Sequence, residues 1–411
     1  MSDHELNDSG SNDSVVNNTA TDLRAKVRAF CAARDPAVTP RGEFLSARFD
    51  AGLAAVHYPL GHGGLGLPRG LQSVADAEFA SAGAPELEPG RNVIGLGMAA
   101  PTIIAFGTPE QQQRWLKPLW LAEEIWCQLF SEPGAGSDLA GLATRAVRDG
   151  DEWVVNGQKV WTSLAHQARW GLLLARTDPD VPKHAGLSYF VIDMHQPGIE
   201  VRPLRQLTGE AEFNEVFFTD ARLPDANRLG EVGAGWRVAN ATLMNERVSI
   251  GAARSVPREQ SAIGYVAHTW RSQPGLRTHE LHQRLLRLWA DAEVARLAGE
   301  RLRQQLAAGT PGPDGSAAKL TYARLNQEIS GFEIELAGAD GLAYDDWTMR
   351  RPEQGGGDFS RGPGFRYLRS KGNSIEGGTS EILRNIIAER VLGLPSEPRA
   401  DTTAAWKDLP R

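Results

Sequence analysis

Two stretches of this sequence carry residue types that could hold a polar ligand. Leu129 to Gly141, LFSEPGAGSDLAG, sets Ser131, Ser137, Asp138 and three glycines between apolar flanks. Glycines let a ligand approach the backbone closely. With neighbouring hydroxyls they can offer N–H and O–H donors to the edge of a planar polar ring or to a phosphate. Taken alone, the stretch fits a plain Gly-rich turn equally well. It has company, however. Trp161-Thr162-Ser163 follows through DGDEWVVNGQKVW, and the far end of the chain carries Ile375 to Arg384, IEGGTSEILR. A third glycine pattern is a decoy: Gly61 to Gly66, GHGGLG, fits G-x-G-x-x-G, but Pro68 and Gly70 prolong the loop where a dinucleotide fold needs a strand before it and a helix after it.

The elements that must position these residues change period along the chain. From Asp22 to Trp126 apolar residues recur at three- and four-residue spacing, as in LRAKVRAFCAA and PEQQQRWLKPLWLAEE, with Pro109 suited to a first helical turn. The apolar run Val93 to Gly107 is too short to span a membrane and reads as a buried helix. The next hundred or so residues alternate. Asp149-Gly150 and Asn156-Gly157 are turn signals there, and WVV and QKV flank the second as a tight hairpin requires. Strand-like GLLLARTD, LSYFVIDM, GIEVRPLRQL and NEVFFTDARLP follow. Helical spacing returns after Gly235, with a break expected at Pro257 and loops at 310–316 and 354–365. Strands grouped between helices predict a mainly α fold with a central antiparallel β-domain rather than alternating βαβ units. The expected boundaries are a disordered tail 1–22, a helical domain 23–126, a β-domain 127–232, a helical bundle 233–394 and a tail 395–411.

Composition narrows the function classes. The chain has 411 residues, 41% hydrophobic and 23% charged, a globular balance. A net charge of -7 without a basic stripe argues against a nucleic-acid surface. Cys31 and Cys127 form no CxxC pair, so neither a disulfide framework nor a cysteine metal site is expected. The polar, acidic N-terminus lacks the basic start and apolar run of a signal peptide, and a cytoplasmic protein is expected.

In order and spacing, EPGAGSD, NGQKxW, LMNERVSIG and EGGTSEILRN resemble the acyl-CoA dehydrogenase family, from about Leu23 to Leu394. The resemblance implies an N-terminal helical domain, a β-barrel-like middle domain and a C-terminal four-helix bundle around FAD. It implies that Gln128, Phe130 and Ser131 lie along the flavin ring, and that Gly136 and Ser137 form the turn between flavin and pantetheine. Trp161 then covers one flavin face, Thr162 belongs to the same segment, and Ser163 donates near N5. Thr379 and Glu381 reach the phosphate and sugar portion, and Arg247 lies on the substrate side. The implied reaction is dehydrogenation of an acyl-CoA to trans-2-enoyl-CoA, with electrons passing to an electron-transfer flavoprotein. The acyl group, straight, branched or sterol-derived, is not encoded in any motif. An oxygen-using flavin oxidase or monooxygenase on the same fold is the alternative chemistry, and a non-catalytic partner subunit the alternative role.

The sequence departs from the family pattern twice. The slot that commonly holds the catalytic Glu, just before Gly-Thr, is Gly377, with Glu376 one residue early. One residue turns a helix by about 100 degrees, so the base is assigned to Glu246, which matches the family's second base position. Leu243, Met244, Val248 and Ile250 predict a helix there covered on more than one side, where a carboxylate needs a reason. Gly377 keeps an oxyanion role through its backbone N–H. The half-site that a neighbouring subunit would donate also differs, with Arg271-Ser-Gln-Pro-Gly275 for R-x-x-F-G and Glu335 where Gln is expected. This favours a heterotetramer with a second chain of the same fold over a homo-oligomer.

Overall fold

The computed structural model describes residues 9–251, 258–307, 314–344, 346–352, 361–398 and 401–410. They fall into two compact units, one from Met1–Pro89 and Ile103–Glu124, the other from Gly90–Thr102 and Ile125–Arg411.

The first unit is helical. Helices α1 (Ser9–Ala33), α2 (Arg41–Asp50) and α3 (Gln72–Ser81) enclose Leu23, Val27, Phe44, Leu53 and Val56. Phe30, Phe44 and Phe79 meet edge to face at 5.3–6.2 Å. α1 starts at Ser9, inside the stretch expected to be a tail. Once its amphipathic half is nucleated, each further residue adds a hydrogen bond at little cost. α4 (Ala100–Phe106) carries the chain between the units, and α5 (Pro109–Trp120) opens on a Thr108/Gln111 capping box with Pro109 in its first turn. The GHGGLG segment is a tight loop: a Cβ on Gly63 would strike the Phe49 ring, and one on Gly64 the Tyr58 carbonyl.

The second unit begins with residues 90–102 and continues into a seven-stranded sheet. Its strands are β1 (Trp126–Leu129), β2 (Arg145–Asp149), β3 (Glu152–Ser163), β4 (Trp170–Arg176), β5 (Leu187–Asp193), β6 (Ile199–Leu204) and β7 (Phe213–Pro224). The order is β1-β4-β2-β3-β7-β6, with β5 on β4. The sheet is antiparallel except where β1 runs parallel to β4 and at one parallel bridge between β2 and β4. The hairpin turn lies at Gly150, φ +67, and not at Asn156-Gly157. Gly157 sits inside β3 at a bulge, φ +150, where a Cβ would come within 2.5 Å of the Thr144 hydroxyl. The glycine there serves close approach of two chains, so its flanking hydrophobics mislead.

Six helices follow: α6 (Gly235–Gly251), α7 (Ala262–Ser272), α8 (His279–Ala307), α9 (Asp314–Ala337), α10 (Pro363–Ser370) and α11 (Ser380–Ile386). The other five all pack on α9 or beside it. Ile263, Val266, Leu288, Leu325, Ile329 and Phe332 form the shared core. Pro257 and most of both loops expected in this part lie outside the described residues. Residues 401–410, expected as a tail, fold back on the β4–β5 connection: the Trp406 amide donates to the Val181 carbonyl at 2.9 Å.

Candidate active site

β1 delivers the LFSEPGAGSD stretch to the sheet edge, and one carboxylate ties it down. Glu132, buried, accepts the amides of Ala143 at 2.7 Å and Thr144 at 2.9 Å and the Lys159 ammonium at 2.9 Å. Lys159, fully buried, also donates to the Phe130 carbonyl at 2.9 Å. Burial alone would raise the Glu132 carboxyl, but Lys159 and the N–H donors hold it below its ordinary value. The loop is thus closed at its base, and Gly134 to Ser137 bow outward. Neither Gly134 nor Gly136 has a positive φ, and a Cβ on either would meet nothing within 4 Å. Nothing among the described residues requires glycine there.

Trp161-Thr162-Ser163 lies beside this loop, because the Val160 amide donates to the Ser131 carbonyl at 2.9 Å. The β3–β7 register shifts between Lys159 and Thr162, and Trp161 takes φ +61. For a bulky residue that conformation costs on the order of 1–3 kcal/mol and persists only where surrounding bonds impose it. Here the imposing bonds are that of Val160 and one from Asn214 Nδ2 to the Thr162 carbonyl at 3.0 Å. The strain turns the Trp161 indole outward, 58% exposed, braced edge-on by Phe213 at 5.8 Å. The Thr162 hydroxyl is buried without a hydrogen-bond partner among the described residues. An orphaned hydroxyl, an outward indole on strained backbone and two glycines over open space fit a planar, hydrogen-bonding ring system.

Helix α6, which carries Glu246, is joined to this cradle through Phe130. Its ring meets Tyr189 edge-on at 5.8 Å, and the Tyr189 hydroxyl lies 3.0 Å from that of Thr242, itself 2.9 Å from Thr102. Glu246 stands one helical turn beyond Thr242 on α6, half-buried. Arg247 follows it, and its side chain lies outside the described residues.

Glu376, the rival base, is already engaged. Asn373 Nδ2 donates to it at 2.6 Å and Arg369 pairs with it at 3.0 Å, while Arg369 also faces Glu212 at 3.4 Å. Burial would lower the Arg369 guanidinium, but Glu376 and Glu212 hold it above its ordinary value. Gly377 and Gly378 adopt φ +61 and +96. Lys319 on α9, a residue that the sequence reading missed, donates to the Gly378 carbonyl at 2.6 Å. Burial pulls Lys319 below its ordinary value, against the opposing charges of Glu376, Glu246 and Glu381. Glu246 and the last motif therefore share the field of one ammonium. Thr379 caps α11 by accepting the Ile382 amide at 3.2 Å, and exposed Glu381 pairs with Arg384 at 3.3 Å. Glu335 is held bidentately by Arg284 at 2.5 and 2.6 Å, which neutralises the carboxylate that departs from the family pattern. Lys159 stands within the NGQKxW motif but without an assigned role, and no signal in the sequence marks Lys319 or Arg369 as different from ordinary helix charges.

Comparison with known proteins agrees with this arrangement. The family models for the acyl-CoA dehydrogenase N-terminal, middle and C-terminal domains match residues 17–123, 127–221 and 233–392. The chain is 42% identical over 351 residues to acyl-CoA dehydrogenase IpdE1 of Mycobacterium tuberculosis, covering 85% of this chain and 86% of that protein. It is 40% identical to acyl-CoA dehydrogenase FadE34 of the same organism over 91% of this chain but 49% of FadE34. Among solved structures, the Tcur3481-Tcur3483 steroid ACAD superposes with a TM-score of 0.69 at 25% identity, covering 97% of this chain and 100% of that chain. The ChsE4-ChsE5 complex from Mycobacterium tuberculosis gives 0.65 at 27%, covering 97% of this chain and 100% of that one. With all three domains matched in order and a relative similar over most of both lengths, the chain belongs to the acyl-CoA dehydrogenase family of FAD-dependent oxidoreductases.

Proposed function

We propose that the chain converts an acyl-CoA thioester to the trans-2-enoyl-CoA, with Glu246 taking the proton from the α carbon. The observation that carries the assignment is the placement of Glu246, half-buried on a helix tied through Thr242, Tyr189 and Phe130 to the cradle. Glu376 is held within the last motif by Arg369 and Asn373. A carboxylate partly withdrawn from water is the stronger base. The Gly377 N–H, in a turn braced by Lys319, donates to the thioester oxygen as negative charge develops there. Gln128, Phe130, Ser131, Gly136, Trp161, Thr162 and Ser163, with Thr379 and Glu381, would hold FAD, which when bound would supply the acceptor for the hydride leaving the β carbon. Trp161 shields the ring from water, Ser137 borders the pantetheine arm and Arg247 faces the substrate. Electrons then pass to an electron-transfer flavoprotein.

Glu246→Gln and Glu376→Gln, mixed anaerobically with acyl-CoA, separate the two bases by bleaching of the flavin absorbance. General-base loss costs about 10²–10⁴-fold in rate, expected for Glu246→Gln alone. A dead Glu376 variant beside an active Glu246 variant would reverse the assignment.

The substrate class and the assembly belong to the same proposal. Tcur3481-Tcur3483 is named as a steroid ACAD with a paired name, and ChsE4-ChsE5 is named as a complex. They support a bulky, sterol-type acyl group and a partner chain that completes each FAD site where Arg271 and Glu335 depart from the family pattern. Among the described residues no helix is long and apolar enough to cross a membrane. Cys31 and Cys127 are free and buried, in keeping with the cytoplasm. Counting FAD in the chain expressed alone and with its partner tests the assembly: a stable homotetramer with one FAD per chain and full turnover would refute it.

A further inference from the structure

Glu132 closes the base of the loop through the amides of Ala143 and Thr144. Between that base and the outward bow of Gly134 to Ser137, residues 138–142 are held a second time, from the other side of the sequence. Arg176, at the end of β4, donates to the carbonyls of Ala140 at 2.6 Å and Leu142 at 3.3 Å. Its guanidinium lies 4.6 Å from the Trp406 ring centroid, and the Trp406 indole N–H donates to the Gly141 carbonyl at 3.1 Å. Lys183, almost fully buried, pairs with Asp138 at 2.8 Å and also with Asp401. Burial would lower the Lys183 ammonium, but the two carboxylates hold it above its ordinary value. The segment is fixed in turn to the β4–β5 connection, where Lys407 donates its amide to Pro179 at 3.1 Å and pairs with Asp180 at 2.7 Å.

We propose that residues 401–410 are a strap that sets the position of the acyl-CoA side of the cradle, with Trp406 as its positioning residue. Trp406 and Asp401 lie outside the segments assigned to the base and to the ring. They act through Gly141 and through Lys183 to Asp138, the residue next to Ser137. The proposal rests on the reading that the Gly134–Ser137 bow borders the pantetheine arm. A bow fixed at both ends binds that arm without first having to be ordered, and releasing one end adds the ordering cost to binding.

Three variants of the full assembly test the strap: Trp406→Ala, Trp406→Phe and a chain ended after Pro398. They are measured for amide hydrogen exchange across 133–144, for the dissociation constant of coenzyme A, and for kcat. Trp406→Ala is expected to speed exchange at 138–142 and to weaken coenzyme A about fivefold to tenfold, a loss of ~1 kcal/mol or slightly more, with kcat and FAD content nearly unchanged. Trp406→Phe, which keeps a ring on Arg176 but loses the N–H to Gly141, recovers only part of the affinity. If the shortened chain does not fold, the two point variants carry the test. Unchanged exchange in Trp406→Ala overturns the strap itself. Faster exchange with unchanged coenzyme A affinity overturns its role in acyl-CoA binding, and with it the reading of the bow, while Glu246 is unaffected. A fall in kcat with unchanged affinity also overturns the proposal.

Discussion

The two halves of the active site are built on different physical principles. The cradle half, from β1 to β3, is fixed by bonds to main-chain groups, since Glu132 and Lys159 satisfy Ala143, Thr144 and Phe130 within one short loop and its neighbouring strand. The helical half is fixed by side chains reaching between elements: Arg369 between Glu212 and Glu376, Arg366 to Glu333, and Arg361 to Glu210. The first is rigid because the backbone itself is bonded. The second depends on charges distant in sequence meeting in the right place.

The largest effect expected from this contrast comes from Glu132→Gln. Removing one partner of a buried pair leaves Lys159 uncompensated and costs about 3–5 kcal/mol, read as a lower denaturant midpoint with loss of bound FAD. The same pair sets an acid limit. The folded-state pKa of the Glu132 carboxyl lies below the unfolded value, so its stabilisation is complete above the ordinary Glu range near ~4.3 and is lost as pH falls from there through the lower folded-state value. The gap in stability between wild type and Glu132→Gln should therefore close on acidification. A gap independent of pH would show that the carboxylate charge does not hold the loop.

Arg369→Met tests the helical half. It strands two carboxylates, one of them partly solvated, so a smaller loss of about 1–3 kcal/mol is expected. The cradle should survive, and the Arg369→Met protein should keep more FAD than Glu132→Gln at equal stability. Equal FAD loss in both would erase the distinction between the halves. Ser137→Trp acts on the ligand side alone: a bulky side chain on the bow should weaken coenzyme A tenfold or more, ~1.4 kcal/mol, at unchanged melting temperature. The smallest effect belongs to Glu335→Gln, whose partner Arg284 is exposed. It should change stability by about 0–1 kcal/mol, and a large loss of FAD would place Glu335 at the cofactor after all.

The contrast also explains what the sequence could convey. The cradle was legible because glycines, a Ser-rich turn and the WTS segment are local, and three domains of differing period followed from the spacing of apolar residues. Asn156-Gly157 misled for an equally local reason, since nothing near it announces that Thr144 will press against the Gly157 backbone. The parallel pairing of β1 with β4 was invisible because it joins segments separated by the whole β2–β3 hairpin. Lys319, Arg369 and Trp406 were invisible as site residues for the same cause: each gains its role from a partner that the fold, not the neighbouring sequence, supplies.

The Glu132–Lys159 pair also bears on what the flavin meets when it binds. Its members stand 27 residues apart, with the β2–β3 hairpin between them. Hairpins form in about 1–10 μs, and closing a loop of that length costs little more than closing one half as long. In the folded chain the ammonium meets its carboxylate only with the hairpin zipped and β3 lying against β1. The flavin is therefore expected to bind a shape that the sheet has already made, and the apoprotein to keep the β1–β3 contacts.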